Sequence, residues 1–231
     1  MVSAEELDRL DRRIEGSIDA GTKHLQSVLE VFEREHGLKA EWRCVDGLAS
    51  VVVPQHARYA DLCILGHGAT ADSDSIEYTF SEQILFVTGR PVLFIPVFGS
   101  FETLGRHIVV AWNSSRAATR AVNDALPLIE RAERTTVLTV NPADCIDRHG
   151  GLPSERMVEH LRRHGAPAEA ARLDKVPGGS IADALQAEAQ ALGADLIVAG
   201  AFGHPKLWEK LLGGVTHDLL ARMSLPILMS H

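Results

Sequence analysis

Short runs of aliphatic and β-branched residues alternate along the chain with longer stretches in which apolar residues recur every three or four positions. That alternation predicts βαβ units and a parallel sheet. It is most regular from Arg106 onward. His107–Trp112 predicts a buried strand, and Ser115–Arg134 a helix with Ser114 or Ser115 as its N-cap. Thr136–Val140 is a second strand. Ser154–His164 is a helix that Gly165 can end. Ala168–Val176 is a weaker strand, and Ser180–Leu192 an Ala-rich helix closed by Gly193. Asp195–Ala199 is a strong strand, Gly214–Met223 a helix and Pro226–Ser230 the last strand. The segment 106–231 thus predicts one complete domain with five strands and four helices.

The first part of the chain repeats the later strands of that domain. Tyr59-Ala-Asp-Leu-Cys-Ile-Leu-Gly66 matches Gly193-Ala-Asp-Leu-Ile-Val-Ala-Gly200. Thr88 to Pro96 matches Met223 to His231, and His36 to Ala40 parallels His164 to Ala168. The copy covers strands three to five, with Trp42–Val45 as its third, and has no counterpart of His107–Val140. The predicted organisation is an incomplete repeat at 1–97, a linker at 98–105 and a complete domain at 106–231. Ahead of the copy, residues 4–36 place Leu7, Leu10, Ile14, Ile18, Gly21, Leu25, Val28 and Phe32 at 3-4 spacing. They predict one long helix, packed on a sheet or paired with another chain. Gly16 and Gly21 each cost such a helix about 1 kcal/mol against Ala, so it needs packing support.

Composition narrows the functional classes. The chain has 231 residues and a formal net charge of −8, which argues against a nucleic-acid binder or a partner of acidic membranes. A local anion site is still permitted, because backbone N–H groups bind phosphate without net positive charge. No apolar run reaches the ~20 residues of a membrane span, and no secretory leader is visible. Cys44, Cys63 and Cys145 form no CxxC pair, so reduced thiols in a cytoplasmic protein are expected.

The stretch from Asp195 to Thr216 carries the most chemistry. A buried strand ends at Gly200. Gly203 follows, then nine residues, then Gly213-Gly214-Val215-Thr216 opening a helix. Glycines after a strand allow close approach of a ligand to the backbone. Glycines opening a helix expose N–H groups where the helix dipole favours an anion. This spacing resembles the universal stress protein family, whose nucleotide motif is Gly-x2-Gly-x9-Gly-Ser/Thr. Gly200, Gly203 and Gly213 match its glycines, and Gly214 replaces the hydroxyl residue.

The resemblance implies a three-layer α/β/α fold of the adenine-nucleotide alpha-hydrolase type, an open parallel sheet of order 3-2-1-4-5 with two repeats, the first incomplete. Asn113, where the family usually carries an acid, should face Gly200 across the crevice between strands one and four. Ala111 and Asn113 at the end of strand one, Val140 at the end of strand two, and Gly200, Gly203, His204, Gly213, Gly214, Val215 and Thr216 after strand four make the implied binding set. The implied ligand is ATP or AMP, with Mg²⁺ only alongside ATP.

The implied function is an adenine-nucleotide-binding regulatory module. The alternatives are a scaffold of the same fold that works through dimerisation, and a slow ATP hydrolase. Catalytic residues are not identified: the histidines form no metal constellation, and Ser114-Ser115 lies in no nucleophile-elbow pattern. Gly66-His-Gly68 keeps glycines in the first repeat, but the positions matching Gly213-Gly214 fall near Tyr78–Ser81 without one, so a structural role is expected there. Two unaided strands are marginal, so that piece should lean on the other repeat or on another chain. The family dimerises through fifth strands and tandem members mimic this within one chain. Pro91–Pro96 and Pro226–Ser230 are the expected segments, with a homodimer through them as the expected assembly. The missing strands reflect either a naturally short protein or a Met1 internal to a longer one.

Overall fold

The computed structural model describes residues 4–67, 76–140, 153–173, 180–201 and 214–231. The chain divides into two compact units, 1–46 and 47–231. The first unit carries α1 (Ala4–His36), the long helix that the 3-4 spacing predicts. Ile18, Leu25, Val28 and Phe32 of its stripe are all exposed. Beyond it, Trp42–Val45 does not form the expected strand and is exposed. The reason is the missing part of the repeat. A strand needs a neighbour for its N–H and C=O groups, and in a 3-2-1-4-5 order the third strand pairs with the second.

The second unit contains α2 (Ala49–Ala57), β1 (Cys63–His67), α3 (Ile76–Val87) and β2 (Val92–Pro96), followed by β3 (His107–Ala111), α4 (Arg116–Ile129), β4 (Arg134–Val140) and α5 (Pro153–Arg163). It ends with β5 (Ala168–Leu173), α6 (Ile181–Ala191), β6 (Leu196–Gly200), α7 (Val215–Ala221) and β7 (Ile227–Ser230). The seven strands form one sheet of order β1-β2-β7-β6-β3-β4-β5. Within the complete repeat that is the 3-2-1-4-5 order. Two apolar layers sandwich the sheet. α2, α3, α6 and α7 supply one, through Ala57, Ile84, Leu185 and Leu219. α4 and α5 supply the other, through Ala121, Val122 and Leu161.

Local chemistry sets the element ends. Ser115, not Ser114, caps α4: its Oγ accepts from the Ala118 N–H at 3.1 Å, while Ser114 takes a left-handed φ of 60° in the preceding turn. α4 stops at Ile129, five residues short of the predicted end. The Arg106 carbonyl accepts from the Glu133 and Arg134 N–H groups, so the chain is already in the sheet there. Ser180 and Asp183 form a reciprocal capping box at the start of α6, and Asp183 also pairs with Arg222 at 3.0 Å.

The internal repeat survives to the level of register. Cys63 pairs with Val92 as Ile197 pairs with Ile227, and Gly66 with Ile95 as Gly200 with Ser230. The Cys63 N–H donates to the Pro91 carbonyl at 3.0 Å, and the Ile197 N–H to the Pro226 carbonyl at the same distance. The two halves join where β2 runs antiparallel to β7, with Leu93 opposite Leu228, Val92 opposite Met229 and Phe94 opposite Ile227. Leu93 and Leu228 are equivalent repeat positions, so a local two-fold passes between them. This joint is the one expected within a single chain between Pro91–Pro96 and Pro226–Ser230, and it takes the edges that the expected homodimer through fifth strands would need. Each fifth strand already has a neighbour on both sides within this chain, so neither offers a free edge.

Candidate functional site

The sheet reverses its winding between β3 and β6. From β3 the chain crosses by α4 to β4, and from β6 by α7 to β7, with α4 and α7 on opposite faces. Connections that diverge in this way leave a crevice at the C-terminal strand ends, where open α/β sheets bind ligands. Ala111 is in register with both Leu138 and Ala199. Asn113, Val140 and Gly200, one or two residues further on, therefore share that edge. Asn113 is exposed, and its Oδ1 accepts from the Ser115 N–H at 3.1 Å, folding the turn into α4.

Gly200 is glycine for a reason that spacing alone did not reveal. A Cβ built there would lie 2.2 Å from the Ala118 nitrogen and 2.4 Å from the Ala117 carbonyl carbon. The first turn of α4 is seated directly on this glycine. The buried face of α4 is made for such an approach, with Ala117, Ala118, Ala121 and Ala125 all buried. Gly214 is the N-cap of α7, extended at φ −173°, with no side-chain cap and, among the described residues, no atom within 4 Å of a Cβ placed on it. Val215 is exposed, while Thr216 is buried with Leu219 and Leu220. Gly203, His204 and Gly213 lie outside the described residues.

The opposite end of β3 carries a polar clamp. Both oxygens of Asp195 take up backbone donors: Oδ1 accepts from the Gly105 and His107 N–H groups at 3.0 Å, and Oδ2 from that of Arg106 at 3.1 Å. One carboxylate thereby fixes the start of β3 against β6. Around it Arg106 pairs with Glu133 at 2.7 Å, and Arg134 pairs with Glu169. The two ion pairs cancel and Asp195 leaves a negative charge, which marks a structural joint rather than an anion site. Spacing alone assigns Asp195 no role, although the repeat carries the same acid at Asp61.

His107 belongs to this clamp, with Nε2 3.0 Å from the Thr136 hydroxyl. Partial burial, with the Arg134 guanidinium nearby, holds its pKa below the ordinary histidine value. The unfolded chain therefore binds the extra proton more readily than the folded one. The stability His107 contributes is complete above its unfolded pKa of about 6.5 and declines as pH falls below it towards the folded value. Urea midpoints at neutral and mildly acidic pH should fall less for His107→Gln than for the natural chain; equal falls would remove His107 as a source of acid sensitivity.

A family model described as "Universal stress protein family" matches residues 105–231, more than half of the chain. The chain belongs to this family. Among solved structures, a universal stress protein from Archaeoglobus fulgidus DSM 4304 matches with a TM-score of 0.71 at 16% identity, covering 100% of this chain and 80% of that one. A protein of unknown function from Pseudomonas aeruginosa PAO1 matches with a TM-score of 0.56 at 17% identity, covering 90% of this chain and 77% of that one. At such identities the likeness is one of fold. No match is found among curated proteins.

Other candidate groups in this universal stress protein have structural settings. His67 is buried, with Nδ1 2.9 Å from the Ser81 hydroxyl. His160 and His164 stack edge to face at 4.8 Å on α5. Burial raises the Cys63 thiol pKa, which keeps it protonated. Among the described residues no three His, Cys, Asp or Glu side chains group as metal ligands, and no helix is long and apolar enough to cross a membrane.

Proposed function

We propose that this universal stress protein is a regulatory module that binds an adenine nucleotide, ATP or AMP, in the crevice of its C-terminal repeat. The observation that carries the reading is the winding reversal between β3 and β6, with Asn113 and Gly200 at adjoining strand ends. The residues fit a nucleotide in kind. Ala111 and Val140 bring their strand ends to this edge, and Asn113 offers an uncharged amide that does not repel phosphate. Among the described residues nothing crowds Gly214 at the start of α7. When bound, the nucleotide supplies the phosphate charge that backbone N–H groups at Gly213-Gly214 would hold. Mg²⁺ would accompany ATP alone.

A second reading is a scaffold of the same fold that binds no nucleotide. Asn113 and Gly214 favour it, since each departs from the family pattern. The lost hydroxyl at Gly214 removes one hydrogen bond, worth about 1 kcal/mol, which weakens binding without abolishing it. Turnover of ATP would need Mg²⁺ and a group to position water, and no residue is assigned to that task.

Calorimetric titration of the chain with ATP and with AMP separates the readings. Binding in the micromolar range is expected, lost in Gly213→Val and tightened about fivefold in Gly214→Ser, since one phosphate hydrogen bond is regained. Among the described residues no atom stands within 4 Å of a Cβ at 214, so serine meets no described neighbour there. Gly200 is unsuitable for this test, because its substitution would displace α4. Absence of heat with both nucleotides would leave the scaffold reading.

A further inference from the structure

The local two-fold between the repeats brings the start of one fifth strand beside the end of the other. β2 runs antiparallel to β7, with Val92 opposite Met229. The end of α3 and the turn into β2 therefore reach the C-terminal end of β7, beside the end of β6. There the first repeat is linked by two routes to the backbone that opens the glycine segment of the second. Ala201 is held at both of its backbone groups: its N–H donates to the Ser230 carbonyl at 2.9 Å, and its carbonyl accepts from His231 Nδ1 at 3.4 Å. The ring of Phe86, near the end of α3, meets the His231 ring edge to face at 4.7 Å. On the other face of the sheet the first turn of α4 is seated on Gly200. Farther along α4, Arg120 Nη2 donates to the Gly89 carbonyl at 3.2 Å. Gly200 and Ala201 are thus gripped from two sides, and both grips end on residues 86–89.

The strands of the joint obey the two-fold, but the ring contact does not. In the match of Thr88–Pro96 to Met223–His231, Pro96 stands where His231 does, and the same offset puts Ala221 where Phe86 stands. The aromatic pair is built only at the end of the joint that lies beside the crevice of the complete repeat. We infer that residues 86–89 of the first repeat position Gly200 and Ala201 for the ligand of the second, Phe86 acting through His231 and Gly89 through Arg120 and α4. The inference rests on the nucleotide reading of that crevice. It gives the incomplete repeat a task that needs no binding site of its own. A binding backbone holds its geometry only where the groups behind it are locked, and the segments that lock it here, α3 and β2, are among those the shortened repeat retains.

Calorimetric titration of the full chain with AMP tests it. Phe86→Leu removes the ring edge, and Arg120→Met removes the guanidinium. Phe86 is 36% exposed and the Arg120 side chain 51% exposed, so neither change opens a deep cavity, and both melting temperatures should stay near the natural one. Each variant should bind AMP about threefold more weakly, part of the effect of one ring pair or one hydrogen bond. Phe86→Tyr, which keeps the ring, should restore the natural affinity. Unchanged affinity in Phe86→Leu and Arg120→Met overturns the inference. So does a loss in Phe86→Tyr equal to that in Phe86→Leu, because the ring would then play no part. Amide exchange at Ala201 is followed in the same proteins without nucleotide, since it reads local opening directly. Exchange about threefold faster in both variants is expected, and the natural rate in both overturns the inference. If the natural chain gives no heat with AMP or ATP, the nucleotide reading fails, and the exchange rates alone decide whether residues 86–89 hold this backbone.

Discussion

Replacing Gly200 by alanine lowers the stability of this protein by about 3 kcal/mol, the upper part of the usual range for overpacking. Two of the three atoms nearest the new methyl, at 2.2 and 2.7 Å, belong to the backbone of Ala118, and the third, at 2.4 Å, to that of Ala117. None can rotate away, so the whole first turn of α4 has to lift off the sheet. Interiors packed to crystal-like density do not absorb such a shift cheaply. The same substitution at Gly66 has the opposite sign. It gains about 0.5 kcal/mol, because alanine loses less backbone entropy than glycine and, among the described residues, meets no neighbour. Urea denaturation of the two variants beside the natural chain measures both. A Gly200→Ala midpoint equal to the natural one would mean that α4 does not sit where the packing places it.

The second large effect is expected at the joint between the repeats. Leu93 is 2% exposed and Leu228 1% exposed, facing each other across the antiparallel pair. Leu93→Ala should cost about 3 kcal/mol through lost burial and the cavity left behind. The more informative result is where that loss is felt. Leu93 belongs to the first repeat by sequence, yet it faces Leu228 of the second and lies in the same apolar cluster as Leu196 and Val198. Unfolding followed by circular dichroism and by the fluorescence of buried Trp112 should therefore shift together, as one transition. A Trp112 transition left in place while the circular dichroism splits would show that the halves unfold independently.

The crevice was partly legible in the sequence, and the limits have physical causes. The strand ends at Ala111, Val140 and Gly200 were readable because buried parallel strands are short continuous apolar runs closed by polar or glycine residues. The cap at Ser115 was readable to within one residue, since Ser114 and Ser115 carry the same hydroxyl. Only the left-handed turn at Ser114 decides between them. The roles of Gly200 and Asp195 were not readable. Both depend on β3 and α4, which lie about 80 to 90 residues away along the chain.

By itself, the sequence determined the class of fold, the family spacing of the glycines and the presence of a partial repeat. Those properties follow from local periodicity and from residues repeating in order, which need no knowledge of neighbours in space. The tertiary structure decided that Trp42–Val45 is no strand, that the fifth strands pair within one chain rather than between two, and that equivalent glycines do unlike work. Each of these turns on which strand lies beside which. Pairing across a sheet is fixed by the burial of two faces at once, and that is a property of the assembled chain.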